Sequence, residues 1–249
     1  MAITDFNEVA EIYDDNLNEL LGKYIKGSTE KYAEYKIQLV HSIIKKINPK
    51  SILDFGCGTG RSLEYIEKYF PSSELFGCDV SEDELTIARR NFPKAEYFNN
   101  SDVNTFSSDS KKFDLIITAC VMHHIEPNDR EKWVNAVFSR LTNDGYWAVF
   151  EHNLINPYTK RIVMDVDNKV DNIEWMYTRK KILNLVKNIK NVNIAWQGYT
   201  LFSPFRFTHD KLDKQNKISY FITCFEKSLK WCPLGAQQCV IFKKTGNTL

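Results

Sequence analysis

No stretch of the 249-residue sequence is long and apolar enough to span a bilayer, so a helical membrane protein is not expected. The start has no apolar leader: Asp5, Glu8 and Glu11 lie where a secretory signal would need hydrophobic residues. There is no charge excess. With 33 basic and 32 acidic residues the net charge is +1, too small a field to recruit nucleic acid or an anionic surface. The six cysteines, at 57, 78, 120, 224, 232 and 239, show no C-x-x-C pairing, and reduced thiols in the cytoplasm are the expectation. Repeats, low-complexity tracts and clusters with metal-ligand spacing are lacking as well, so no metal is expected. What remains is the composition of an ordinary globule, 43% hydrophobic and 26% charged, at a length suited to one α/β domain with additions.

Hydrophobic spacing predicts a helix over 5–21 and a second over 29–47, stopped by Asn48-Pro49. Strands are expected at 51–55 (β1), 74–78 (β2), 95–98 (β3), 113–119 (β4) and 146–151 (β5). Helices are expected at 59–70, after a Ser81-x-x-Glu84 capping box, and at 130–141. Past residue 152 the rhythm changes. A segment over 153–167 turns helical, a helix covers 178–190 and a strand covers 192–200 (β6). An insertion rich in aromatics and lysines occupies 201–235, and a last strand covers 237–243 (β7). Strands alternating with helices imply βαβ units and an α/β fold with a largely parallel sheet.

The densest chemical signal is Ile52-Leu53-Asp54-Phe55-Gly56-Cys57-Gly58-Thr59-Gly60, an apolar strand running into a tight glycine turn. Glycine has no Cβ, so it takes positive φ and lets a ligand lie against the backbone. The N–H groups of the following helix favour an anion such as a carboxylate. Asp79, at the end of the next strand, falls where nucleotide-binding folds place a ribose-binding acid. The dinucleotide fingerprint G-x-G-x-x-G is not matched, and Asp54 would repel a pyrophosphate, which disfavours an NAD-dependent oxidoreductase.

The pattern D-x-G-x-G-x-G, formed by Asp54, Gly56, Gly58 and Gly60, resembles motif I of the class I S-adenosylmethionine (SAM) methyltransferases. The resemblance implies a Rossmann-like sheet of order 3-2-1-4-5-7-6 with β7 antiparallel. It implies SAM as cofactor, held by Asp54, Gly56, Cys57, Gly58, Thr59 and Gly60, by Asp79 and Val80, by Asp102 and Val103 near the adenine, and by Ala119 and Cys120. Ala119-Cys120-Val121-Met122-His123-His124-Ile125 is similar to the post-β4 loop of small-molecule methyltransferases. Glu151-His152-Asn153-Leu154-Ile155-Asn156-Pro157 is similar to a segment in a bacterial subset linked to cell-surface saccharide pathways, with Leu154 in place of the usual proline.

The expected organisation is one domain over 1–249: a helical lid at 1–47, a nucleotide-binding half at 48–152, and an acceptor-side half at 153–249 carrying the insertion. Tyr13 would close over the cofactor and Lys36 would pair its carboxylate. The expected reaction moves a methyl group to a small polar acceptor, most simply a sugar hydroxyl, with a histidine as general base. His152 is the first candidate, His123 the second, and Glu151 the alternative. An amine or a phospho-compound fits nearly as well as a hydroxyl. A SAM-binding subunit without catalysis is the reading of another class. A nucleic-acid partner is not expected.

Overall fold

The computed structural model describes residues 29–44, 46–167, 176, 178–200, 232, 233 and 235–246. The predicted helix over 5–21, Tyr13 and most of the 201–235 insertion lie outside the described residues. The elements run α1 (Thr29–Ile44), β1 (Ser51–Phe55), α2 (Leu63–Tyr69), β2 (Glu74–Asp79), α3 (Glu82–Asn91), β3 (Glu96–Asn99) and α4 (Val103–Ser108). They continue with β4 (Phe113–Ala119), a single 3-10 turn (Met122–His124), α5 (Arg130–Ser139), β5 (Leu141–His152), α6 (Pro157–Asp167), α7 (Arg179–Val186), β6 (Val192–Thr200) and β7 (Gln237–Lys244).

The seven strands form one sheet of order β3-β2-β1-β4-β5-β7-β6. β1 to β5 pair in parallel, while β7 is antiparallel to both β5 and β6. The order matches the expectation, and the reversed β7 separates this sheet from the all-parallel dinucleotide-binding order. Side chains alternate across each strand and feed two cores. Ile52, Ile117, Phe150, Cys239 and Ile241 pack against Ile37, Val40 and Ile44 of α1 and Leu63 and Ile66 of α2. Leu53, Phe55, Ile116, Trp147, Val149 and Phe242 pack against Phe106 of α4, Val134 and Val137 of α5, and Ile182 and Val186 of α7.

Several details differ from the sequence reading. The helix expected from Thr59 begins only at Leu63, because Gly58 and Gly60 take φ of 53° and 81° and keep the chain turning. The helix expected to reach Ile47 ends at Ile44. The Ser81–Glu84 box is half made: Ser81 Oγ accepts the Glu84 N–H at 3.2 Å, but the Ser81 N–H goes to Asp79. The predicted turn at Asn143-Asp144-Gly145 is instead a bulge inside the longer β5, with Asp144 at φ 68°.

The glycine turn is packed by the chain itself. Gly56 has φ 73°, and a Cβ there would meet Val121 Cγ2 at 2.3 Å. Gly56→Ala therefore combines a left-handed backbone, about 1–2 kcal/mol, with overpacking, about 1–3 kcal/mol. Urea unfolding of this variant is expected to show a loss of about 2–4 kcal/mol; a loss below about 1 kcal/mol would show that Val121 does not fill that space.

Candidate active site

The carboxyl ends of β1, β2, β4 and β5 and the start of β7 meet along one edge of the sheet. At β1 the backbone of the turn is spoken for. Gly56 N and Cys57 N both donate to Cys78 O, at 2.8 and 3.0 Å, and Gly60 N donates to Cys57 O. Gly58 N donates to Asp79 Oδ2 at 2.9 Å. Four N–H groups of the turn, those of Gly56, Cys57, Gly58 and Gly60, are thus used internally. Cys57 is buried with its Sγ against Gly77, and burial keeps its thiol protonated, so it is not a reactive thiol. Thr59 is buried and its carbonyl accepts from Asn91 Nδ2 at 3.1 Å.

Three acids gather at this turn. Asp79 is buried, and its two oxygens take the Gly58 and Ser81 N–H groups, one each. Burial raises its pKa and those hydrogen bonds oppose the rise. Asp54 is 3% exposed; burial pushes its carboxyl up to about 7, the charge of half-buried Lys36 opposes this, and Asp79 adds to it. Glu84 comes from α3, is buried, and is likewise pushed up to about 7 by burial and then Asp79, against Arg61. The sequence offered Glu84 only as a helix cap. Its second role follows from the missing Cβ of Gly58, whose position lies 3.2 Å from Glu84 Oε2.

Beyond β2 the flank is more open. Val80 is 50% exposed. Asp102 is exposed and caps α4, accepting the N–H groups of Asn104 and Thr105 and the Thr105 hydroxyl. The Thr105 hydroxyl and these amides hold its carboxyl below the ordinary aspartate value. Val103 is half-buried beside it. Two residues earlier Asn100 is buried, and its Oδ1 has no hydrogen-bond partner among the described residues.

The β4 and β5 ends carry the histidines. Ala119 and Cys120 are half-buried, and Cys120 sits at φ 60° with its N–H on Phe150 O. His123, from the turn after β4, is fully buried with Nδ1 2.6 Å from Glu151 Oε2. The other Glu151 oxygen accepts the Met122 N–H at 2.8 Å. Burial alone would raise the Glu151 carboxyl; His123, His152 and the Met122 N–H outweigh it and hold the group below the usual glutamate value. His152 is half-buried, with its ring centroid 5.5 Å from that of His123. The structure thus brings His123, Glu151 and His152 together, which their separation in sequence did not reveal.

Gln237 is the residue that sequence reasoning missed. It pairs with His152 across the β5–β7 ladder, and its Nε2 lies 3.0 Å from Cys120 Sγ. Its Oε1 is buried without a partner among the described residues. Asp54 aligns through Ile117 with Ala148, and His152 lies four residues further along β5. At about 3.3 Å per residue that is roughly 13 Å towards the strand ends. The acidic turn and the histidine–glutamine group are therefore two subsites. Among the described residues no cluster suited to a metal is found.

A methyltransferase-domain family model matches residues 53–147, which contain the turn, the three acids, the histidine loop and most of β5. A carboxy-S-adenosyl-L-methionine synthase from Campylobacter hominis is 33% identical over 152 residues, 59% of this chain and 61% of that protein. A trans-aconitate 2-methyltransferase from Variovorax paradoxus is 32% identical over 98 residues, 39% of this chain and 37% of that protein. The chain thus spans less than two thirds of the length of these curated relatives. The plantazolicin methyltransferase BpumL, in complex with a monoazolic desmethylPZN analog and SAH, superposes with a TM-score of 0.60 at 18% identity, covering 97% of this chain and 91% of that one. Sheet order and superposition together define the fold: a Rossmann-like α/β sheet of the kind found in SAM-dependent methyltransferases.

Two buried carboxyls give opposite pH dependences. Glu151 has a depressed folded pKa, so its stabilisation is present above the unfolded value of about 4.5 and is lost as pH falls through the lower folded value. Asp54 has a raised one, so its contribution is full below about 3.8 and is lost as pH rises through about 7. Urea titrations of the ligand-free protein between pH 4 and 8 should show Asp54→Asn gaining on the wild type by on the order of 3–4 kcal/mol. Glu151→Gln should show no such gain and should lack the wild type's acid-limb loss. Parallel wild-type and Asp54→Asn curves would contradict the burial of Asp54.

Proposed function

We propose that the protein is a SAM-dependent methyltransferase whose acceptor is a small polar molecule, most simply through a hydroxyl of a sugar or saccharide precursor. The observation that carries the cofactor half is the acidic turn: Asp54, Asp79 and Glu84 are buried around Gly58, an arrangement that favours a cationic nucleoside and disfavours a pyrophosphate. When bound, SAM supplies an electrophilic methyl group. Asp79 accepts from the ribose hydroxyls, since each of its oxygens keeps a lone pair beyond its backbone N–H. Asp54 takes the amino group and Lys36 the carboxylate of the methionine part. Val80, Asp102 and Val103 flank the adenine, with Gly56, Cys57, Gly58, Thr59, Gly60, Ala119 and Cys120 as the floor. Tyr13, the remaining candidate, lies outside the described residues.

The acceptor half is built from groups that take protons. His152 is the accessible member of the histidine pair and accepts the hydroxyl proton. Glu151 orients His123 through Nδ1, and the Glu151 carboxylate opposes the positive charge that His152 acquires. Gln237 Oε1 accepts from an O–H or N–H of the acceptor. This set of acceptors supports a neutral donor-bearing substrate over a phosphate or carboxylate. Of the two curated relatives, one is named a methyltransferase and the other a carboxy-S-adenosyl-L-methionine synthase, so they support a SAM-type ligand and leave the acceptor to the site.

Isothermal titration should show SAM binding to the wild type and at least tenfold weaker binding to Asp79→Ala. In a screen of nucleotide sugars, glycans and small amines, His152→Ala should lower kcat by about 10²–10⁴ with SAM affinity unchanged. A folded wild type that binds NADH tightly and not SAM would overturn the assignment.

A further inference from the structure

Glu84 has no structural reason to be an acid. The Ser81 hydroxyl already caps the Glu84 N–H, and Glu82 and Asp83 already place carboxylates in the first turn of α3. The residue is 6% exposed, and among the described residues no hydrogen-bond donor reaches its carboxylate. A largely desolvated carboxyl with no donor among the described residues is costly, yet its oxygens are not among the fully buried unpartnered atoms and so still reach the surface of the turn. Its aim is set by the turn: Oε2 lies 3.2 Å from the position that a Cβ on Gly58 would take, and Gly58 N is bonded to Asp79.

The charged and titratable groups facing it are known element by element. Asp79, from β2, repels a charge on Glu84, and Arg61, from the turn before α2, attracts it. Cys57, in the turn, feels Glu84, Asp79 and Asp54 and stays a neutral thiol. Asp54, from β1, faces Asp79 and the Lys36 ammonium of α1. Among the described residues three acids, Asp54, Asp79 and Glu84, stand on this wall with two cations, Lys36 and Arg61.

Resting on the reading of the turn as a SAM site, we propose that Glu84 is a specificity-determining residue of that site: it makes the wall prefer a cationic nucleoside to a neutral one, and it releases a proton when such a ligand binds. The carboxyl O–H bond breaks, the proton passes to solvent, and no electrons are exchanged. Burial and Asp79 hold Glu84 near 7 in the ligand-free protein, so a ligand cation draws on a group poised to ionise. Affinity for the cation then rises with pH through about 7 and levels off above it. Asp54, also held near 7, adds a second proton of the same sign.

The test is calorimetric titration at pH 6, 7 and 8, in two buffers of different ionisation heat, with SAM and with 5′-deoxy-5′-methylthioadenosine, which has the adenosine and a neutral thioether but neither the sulfonium nor the α-ammonium charge. The variants are Glu84→Gln and Glu84→Met, with circular dichroism confirming the fold. The wild type should tighten on SAM about tenfold more between pH 6 and 8 than either variant, and should release about one more proton. Binding of the neutral thioether should change less than about twofold in all three proteins. Equal slopes and proton counts in wild type and variants, with SAM bound, would overturn the role of Glu84 alone. Failure of the wild type to bind either nucleoside would overturn the functional reading, and this inference with it.

Discussion

Everything at this site hangs on the way the end of β2 grips the turn after β1. One carbonyl, Cys78 O, takes the N–H groups of both Gly56 and Cys57, and the next side chain, Asp79, takes that of Gly58. A chain can follow that path only with positive φ at alternate positions, which is why glycines stand at 56, 58 and 60. The same tie fixes Asp79 at the edge, presses Val121 of the β4 loop onto Gly56, and sets Glu84 opposite Gly58. The loops of three strands are thereby held in one constellation before any ligand arrives, and binding need not order them.

The two subsites are opposite in electrostatic character. Around the turn, burial drives the carboxyls of Asp54 and Glu84 towards the neutral form more strongly than Lys36 and Arg61 oppose it. At the β5 end, the single buried carboxylate, Glu151, is paired and stays ionised. An acid raised by burial is poised to gain a cation, whereas a paired acid holds a histidine in place. Along the strands Asp54 and Glu151 are roughly 10 Å apart in register, which lets both states coexist near neutral pH.

Much of the fold was legible because it rests on local signals. Apolar runs bounded by glycine and proline marked every strand, and the order of the sheet followed from the resemblance carried by Asp54, Gly56, Gly58 and Gly60. The start of α2 was misread because the turn runs on through Gly60, whose φ of 81° delays the helix to Leu63. The site was legible residue by residue but not pair by pair. Adjacent in sequence, Glu151 and His152 point to opposite faces of β5, so Glu151 finds His123 rather than solvent. Gln237 could not be found from its own neighbourhood, because its place beside His152 and Cys120 exists only through the antiparallel pairing of β7 with β5. Asp102 carried a plausible sequence signal, yet its oxygens cap α4, and buried Asn100 beside it holds the unpartnered acceptor.

The most direct test of the account is a crystal structure of the protein grown with S-adenosylhomocysteine. The account predicts the ribose hydroxyls on Asp79, the amino group at Asp54, and the sulfur turned towards the end of the sheet where His152 and Gln237 stand. Density for the nucleoside away from the Gly56–Gly60 turn, or a sulfur directed away from His152 and Gln237, would contradict it.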